Sequence, residues 1–395
     1  MNKRFFSVVL SALLLACCTE HDPRYENVTK PVVKAASSVI SGVVTDFKGN
    51  PLSGALVSIG GRKVETDNTG LYSYAVESAG NYEIKATFSD RVSGDKTVAV
   101  ASIATTQIHT CNFLLPTQTS VVLGPKNLEG KIYPESVRGT EVYGTVEISA
   151  VISEEQNVFP ENLKLTLSPV YSARNGGPSP SGGSAALSCK QLVGFNLKCS
   201  DSGVSTLPCP VNVSVKVGPE VCRCSRLMYY STKSKSWQEV PYTEEGEYMQ
   251  IVVTSPGEYG IFADVSVTTT PVRSSISFDP YRWDNLYGSA PFALTEAPYQ
   301  YAVGTAYEST QASNRLKALL LGRLVQDCGS VSSFSADCTY PLNSSLPIGT
   351  ALEISGTQDF IQTVYSFSDG ASVSAILCST CAVSTQGFNR VTPGI

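Results

Sequence analysis

The chain has 395 residues, of which 42% are hydrophobic and 16% are charged, a composition typical of a folded protein rather than a disordered one. Its net charge of −5 argues against nucleic acid as a partner, because contacts to phosphate need clustered Lys and Arg. A chain of this length exceeds one typical hydrophobic core, so we expect two or three domains.

The chain begins with the pattern of a secretory signal. Two basic residues precede the apolar run 5–15, which is too short for a transmembrane helix because spanning a bilayer takes about 20 apolar residues. The run closes on Leu14-Leu15-Ala16-Cys17, which resembles the lipobox of bacterial lipoproteins. The resemblance implies removal of residues 1–16 as a signal peptide and attachment of lipid to Cys17. Cys18 is a second candidate, and an ordinary secretory signal is the alternative.

The lipid determines where the protein is expected to reside. Several acyl chains, at about 0.8 kcal/mol per buried methylene, make release from a membrane very slow. Residues 17–36 are polar and contain two prolines, so they predict a flexible lipidated tether. Glu20 and Asp22 loosely resemble acidic sorting signals. We therefore expect a lipid anchor in the outer membrane of a Gram-negative cell envelope, with leaflet and surface exposure left open.

Residues 37–118 alternate short strand patterns with tight turns. Apolar residues at every second position of 82–88 indicate a strand with one buried face. The segments 40–46, 49–55 and 80–82 resemble the carboxypeptidase regulatory-like domain, a transthyretin-like Greek-key β-sandwich. That resemblance implies a module without activity of its own, which acts as a spacer or docking unit.

Twelve cysteines suggest a disulfide-stapled protein. In an exported chain disulfides persist, and five cysteines lie between 189 and 224 and four between 328 and 381. The Cys-x-Cys and Cys-x-x-Cys pairs are alternatives as metal ligands, but they lack the matching second pair and nearby His of zinc sites. Unpaired thiols remain the third alternative. We expect Cys111 to be a buried free thiol and His109 to have a local hydrogen-bonding partner.

The middle region, 122–268, predicts a second β-sandwich. Its alternating segments are interrupted by residues 172–184, which are too rich in Gly, Ser and Pro for a regular element and predict a long exposed loop. Scattered positions near its end resemble ZU5-like sandwich domains. The aromatic residues around 228–237 are expected to pack as core across a hairpin, with a sugar-binding platform as the alternative.

The last region, 273–395, predicts a β-rich α+β domain after a linker at 269–274. One amphipathic helix is expected at 311–327, with an apolar stripe that packs on a sheet; a helix lying on a membrane surface is the alternative. The region otherwise resembles only the C-terminal domains of uncharacterised exported lipoproteins. Its aromatic segment 278–299 holds the best candidate for a glycan site, although rings that cover the core are the alternative. The candidate glycan contacts are Tyr281, Trp283, Asp284 and Tyr287.

No catalytic motif accompanies these modules. The sequence contains no G-x-S-x-G, no H-E-x-x-H and no glycine loop that would hold phosphate, and it predicts no catalytic residue, metal ligand or cofactor. A glycoside hydrolase, which needs only two carboxylates, is the enzymatic alternative. Overall we expect a mostly β protein of tandem Greek-key sandwich modules that serves a non-enzymatic adhesive, docking or structural role. Glycan binding through 278–299 is the alternative function, and the protein or glycan partner is unknown.

Overall fold

The computed structural model describes residues 38–282, 305–308, 313–328, 351–367 and 370–384, apart from gaps at 102, 104–106, 138–139, 142–143, 156 and 184–185. Within these ranges the protein is mostly β-strand and its sheets are mainly antiparallel, which confirms the predicted fold class.

The first eight strands form a two-layered sandwich. They are β1 (Ser38–Thr45), β2 (Leu56–Ile59), β3 (Arg62–Glu65), β4 (Leu71–Val76), β5 (Gly80–Thr87), β6 (Gly94–Val100), β7 (Gln107–Thr110) and β8 (Phe113–Leu114). One layer follows the order β3-β2-β5-β6, and β1 in the other layer pairs with β4, β7 and β8. The core between the layers includes Ile40, Val57 and Ile84, which are fully buried.

A second sandwich follows. Its elements are β9 (Val121–Leu123), β10 (Glu129–Ile132), β11 (Ile148–Ile152), β12 (Leu165–Pro169), β13 (Ser188–Cys199), β14 (Val211–Lys216), helix α1 (Pro219–Cys224), β15 (Ser225–Ser231), β16 (Ser236–Glu239), β17 (Thr243–Glu245) and β18 (Tyr248–Val253). A five-stranded sheet, β10-β11-β14-β18-β17, covers a layer that includes β9, β12, β13 and β15. Leu165, Phe195 and Val213 fill the core between them. The predicted loop at 172–184 contains two short 3₁₀ turns and no strand among its described residues, as expected.

The remaining elements are β19 (Gly257–Arg282), β20 (Thr305–Glu308), helix α2 (Asn314–Cys328), β21 (Ala351–Ser366) and β22 (Ser372–Ser384). Three of these strands, β19, β21 and β22, are long. Strand β19 extends over roughly 85 Å at about 3.3 Å per residue. Residues 257–265 pair with β13 and residues 266–282 pair with β21.

The linker expected at 269–274 is wrong, because these residues lie in the middle of β19. Thr269, Thr270 and Pro271 gave the segment a polar, broken pattern. Threonine is nevertheless β-branched and favours strands, and β21 supplies the backbone partners.

Strand β22 joins the two sandwiches into one sheet. It pairs with β21 on one side and with β7 of the first sandwich on the other, so that Thr380 lies opposite His109. The resulting order is β4-β1-β7-β22-β21-β19-β13-β12-β9. The C-terminal strands therefore lie between the first and second sandwiches in this sheet.

Helix α2 packs against the core of the second sandwich. Leu316, Leu320 and Leu324 are buried there together with Tyr365 of β21 and Val373 of β22. The predicted helix and its packing on a sheet are confirmed, and the stripe is not available to a membrane surface.

Candidate functional site

A groove of about 540 Å³ separates the first sandwich from the second. One wall comes from residues 92–96 and 113–118, and the other comes from 168–172 with Asn196 and Glu258. The last turn of α2 closes the groove. Ligand sites commonly occur where folded units meet, and their volumes are typically about 300–1,000 Å³.

The carboxylate of Asp327, at the end of α2, links the helix to side chains of two strands beside the groove. It accepts hydrogen bonds from Tyr365 Oη at 2.6 Å and from Lys190 Nζ at 3.2 Å. Its second oxygen lies 3.0 Å from Arg323 Nη2, one helical turn earlier. The contacts join the helix to β13 and β21.

The environment of Asp327 keeps it ionised. Burial favours the neutral acid, but the charges of Arg323 and Lys190 and the hydrogen bonds from Tyr365 and Lys190 lower the pKa below its ordinary value. The side chain of Asp327 is 24% exposed, so solvent screens these interactions only in part. Two cations surround one carboxylate.

Backbone contacts attach the helix at both ends. Lys96 Nζ, from β6 of the first sandwich, donates to the carbonyl oxygens of Gln326 and Asp327 at 3.3 Å each. A cation is favourable there, because the carbonyls at the C-terminal end of a helix carry partial negative charge. At the other end Arg315 donates to the carbonyl oxygens of Thr145 at 3.1 Å and Lys216 at 3.4 Å. The helix is therefore bound to both sandwiches.

A second ion pair lines the far wall. Glu258, only 6% exposed at its side chain, accepts from the backbone N–H of Arg174 at 3.0 Å and from Arg174 Nε at 2.9 Å. The guanidinium lies 5.8 Å from the centre of the Tyr230 ring. The two terminal nitrogens of Arg174 make no hydrogen bond among the described residues. The arginine is thus held by its Nε and its backbone N–H.

The residues predicted for lipid and glycan lie mainly outside the described ranges. Cys17, Trp283, Asp284 and Tyr287 are among them, and the predictions for them stay predictions. Tyr281 belongs to β19, where its backbone pairs with that of Leu352.

The aromatic residues of the β15–β16 hairpin form a core, as predicted. The Trp237 ring meets those of Tyr230 at 5.4 Å and Phe262 at 5.0 Å, both edge to face. Its indole N–H donates to the carbonyl oxygen of Arg174 at 3.1 Å, and Met228 is buried nearby. These contacts attach the 172–184 loop to the hairpin.

The disulfide prediction fails for four of the five middle cysteines. Cys189, Cys199, Cys209 and Cys222 are free thiols. All four are buried. Cys199 and Cys222 lie in the apolar core, where cysteine behaves as a small hydrophobic residue. Burial, followed by the nearby carboxylate of Asp264, raises the pKa of Cys189 to about 12. Such a thiol is a poor nucleophile.

The first sandwich contains the other notable titratable groups. Cys111 is a buried free thiol, as predicted. His109 is buried between β1 and β22, and burial lowers its pKa. Among the described residues its Nε2 has no hydrogen-bond partner, so the local hydrogen bond expected for this histidine is not seen at that nitrogen. No group of three or more His, Cys, Asp or Glu in the described parts of the chain could hold a metal ion.

Sequence reasoning missed Asp327, Lys190, Arg174 and Glu258. Each resembles an ordinary surface charge in the sequence, because the Lys190–Asp327 and Arg174–Glu258 pairs join residues that lie far apart along the chain. The one available signal was the pair Arg323 and Asp327, spaced four residues apart on the predicted helix.

The described residues define a mostly β protein of packed antiparallel sheets, and none of their helices has the length and apolar character needed to cross a membrane. Neither a protein-family model nor a curated protein matches the chain.

Several solved structures show a distant likeness. A protein of unknown function from Bacteroides fragilis matches 88% of this chain and 97% of its own, with 10% identity and a TM-score of 0.31. The major pilin subunit of Bacillus cereus matches 85% of this chain and 91% of its own, with 9% identity and a TM-score of 0.19. A streptococcal ancillary pilin matches 56% and 59%, with 12% identity and a TM-score of 0.20. Likenesses this distant carry no conclusion about function.

Proposed function

We propose that this protein is a non-enzymatic lipoprotein, anchored in the outer membrane through Cys17, that presents linked β-sandwich units for docking, adhesion or a structural role at the cell envelope. The observation that supports it best is the continuous sheet. Strand β22 pairs with both β7 and β21, so the two sandwiches would be presented together in one relative orientation.

The contacts of α2 add to this rigidity. Lys190 of the second sandwich binds the last turn of the helix, and Lys96 of the first sandwich binds the same turn, so rotating the first sandwich away from the second would break the Lys96 contacts. The resemblance of residues 37–118 to the carboxypeptidase regulatory-like domain fits the same role, since that resemblance implies a spacer or docking unit.

The titratable groups support the proposed lack of one kind of catalysis, acyl transfer. Acyl-transfer enzymes of the Ser-His or Cys-His kind need a histidine that can reach substrate. The chain has two histidines, and one of them, His109, is buried with a lowered pKa. The other, His21, belongs to the predicted tether.

Cys17→Ala, compared with Cys18→Ala, tests the anchor. Both variants are expressed in a Gram-negative host fed an alkyne fatty acid, and the envelope fractions are separated. We expect Cys17→Ala to lose the fatty-acid label and leave the membrane fraction, while Cys18→Ala keeps both. An unlabelled wild-type protein with an intact N-terminus in the soluble fraction would refute the proposal.

Protease treatment of intact cells then tests presentation. If the sandwiches face outward, wild-type protein is digested or released without cell lysis, whereas a periplasmic control protein stays intact. Protection equal to that of the periplasmic control would contradict display at the surface and leave the anchor in place.

A further inference from the structure

The groove lining carries three cations, Lys96, Arg174 and Arg323, and three carboxylates, Asp95, Glu258 and Asp327, so its net charge is zero. Arg174 is paired with Glu258 at 2.9 Å, and Asp327 lies between Arg323 at 3.0 Å and Lys190 at 3.2 Å. An anionic ligand would meet three carboxylates, and a cationic ligand would meet three cations. Strongly charged ligands are therefore disfavoured.

What the groove offers instead is neutral hydrogen-bonding capacity. The side chains of Ser93, Gln118, Ser168 and Asn196 line it and make no hydrogen bond of their own among the described residues. The outer nitrogens of Arg174 add donors whose charge Glu258 offsets. Amide and hydroxyl groups of this kind match ligands that carry many hydroxyls.

The other cavities suit this ligand less well. The cavity beside α2 and Gln191 measures about 90 Å³, which is enough for a few water molecules. The depression on the five-stranded sheet is open, and it carries Glu147, Glu245 and Glu247 against a single lysine, Lys131.

We propose that the groove between the two sandwiches binds a neutral oligosaccharide. This site differs from the aromatic segment at 278–299, and it does not depend on the lipid anchor. Walls from both sandwiches would contact the sugar, and the last turn of α2 would form the end of the site.

The test uses the full-length protein in detergent and short uncharged oligosaccharides of glucose, galactose, mannose and N-acetylglucosamine. Sialylated and sulfated counterparts are the charged arm. Saturation-transfer NMR identifies binders, and calorimetry gives Kd. We expect at least one uncharged sugar to bind, and its charged counterpart to bind at least tenfold more weakly.

Two variants locate the site. Asn196→Asp adds a carboxylate with little change of shape, and Ser93→Trp fills the groove from the opposite wall. Both should weaken binding at least tenfold. The matched controls are Asn212→Asp on β14 and Thr97→Trp on β6; both residues are exposed and outside the groove, and both variants should bind like wild type.

Thermal unfolding of each variant confirms that it is folded before binding is measured. The proposal is overturned if no uncharged sugar binds the wild type, if the charged arm binds better, or if binding survives both groove variants. Cys17→Ala should leave sugar binding unchanged, so a failure of the anchor and a failure of this site are distinguishable.

Discussion

Replacing Asp327 with Asn tests whether the end of α2 holds the units together. The substitution keeps the shape and leaves an oxygen that can accept from Tyr365, but it removes the charge that Arg323 and Lys190 face. Two cations would then lie close together without a carboxylate between them. We expect the free energy of unfolding to fall.

The expected loss is about 2 kcal/mol. Exposed ion pairs contribute about 0–1 kcal/mol, and removing one partner of a fully buried pair costs about 3–5 kcal/mol. The side chains of Asp327, Lys190 and Arg323 are 24%, 25% and 16% exposed. The free-energy cost of removing the Asp327 charge should therefore lie between these two limits. Screening by the remaining solvent reduces the cost from the buried limit.

The dependence on pH has a definite sign. The pKa of Asp327 in the folded protein lies below its unfolded value of about 3.9, so the folded state favours the ionised form. Its contribution is complete above roughly pH 5 and is lost as the pH falls through the folded-state pKa. The difference between wild type and Asp327→Asn should therefore be constant from pH 5 to pH 8 and shrink below about pH 4.

Urea unfolding followed by tryptophan fluorescence measures both quantities. Glu247→Gln is the control, because its pair with Lys216 at 3.3 Å is largely exposed and should be worth less than about 1 kcal/mol. A loss for Asp327→Asn no larger than that of the control, or a difference that does not change between pH 7 and pH 3, would refute the role assigned to Asp327.

Three further predictions concern the core. Leu320→Ala, fully buried on α2, should lower the free energy of unfolding by about 2–5 kcal/mol in urea, whereas Val158→Ala, 84% exposed, should leave it unchanged. Tyr72→Phe removes a hydrogen bond of 2.5 Å to the buried carbonyl oxygen of Cys111 and should cost about 1–3 kcal/mol, measured in the same way. Cys189, with a pKa of about 12, should resist iodoacetamide at pH 8 until the protein is unfolded; rapid alkylation of the folded protein, seen by mass spectrometry, would contradict its burial.

Patterns with a local cause were predictable from the sequence. The stripe of Leu316, Leu320 and Leu324 repeats with the helical period, and the helix follows. The Gly, Ser and Pro content of 172–184 excludes a regular element, and a loop follows.

Partners distant in the chain were not predictable. Alternation shows which face of a strand is buried but not which strand lies beside it, so nothing in the sequence around His109 or Thr380 indicates that β7 and β22 pair. The disulfide prediction failed for a related reason. Their number suggested disulfides, whereas Cys199 and Cys222 fill apolar positions that a valine could also occupy.

The same limit explains why the candidate site was missed. Asp327 at the end of a helix is indistinguishable from a solvated charge until Lys96, Lys190 and Tyr365 are brought to it by three different strands. A site formed by segments that are distant in the chain has no sequence motif, because the fold brings its residues together from positions with no fixed spacing in the sequence.

The pairing of β22 with β7 and the packing of α2 also show how the two sandwiches depend on the C-terminal segment. Without residues 372–384, β7 would present an unpaired edge of backbone N–H and C=O groups, which is a site for unwanted pairing. Without α2, the apolar residues that Leu316 and Leu324 cover in the second sandwich would face water. The C-terminal strands and helix therefore complete both sandwiches, and the order of segments along the chain differs from the order of strands in the sheet.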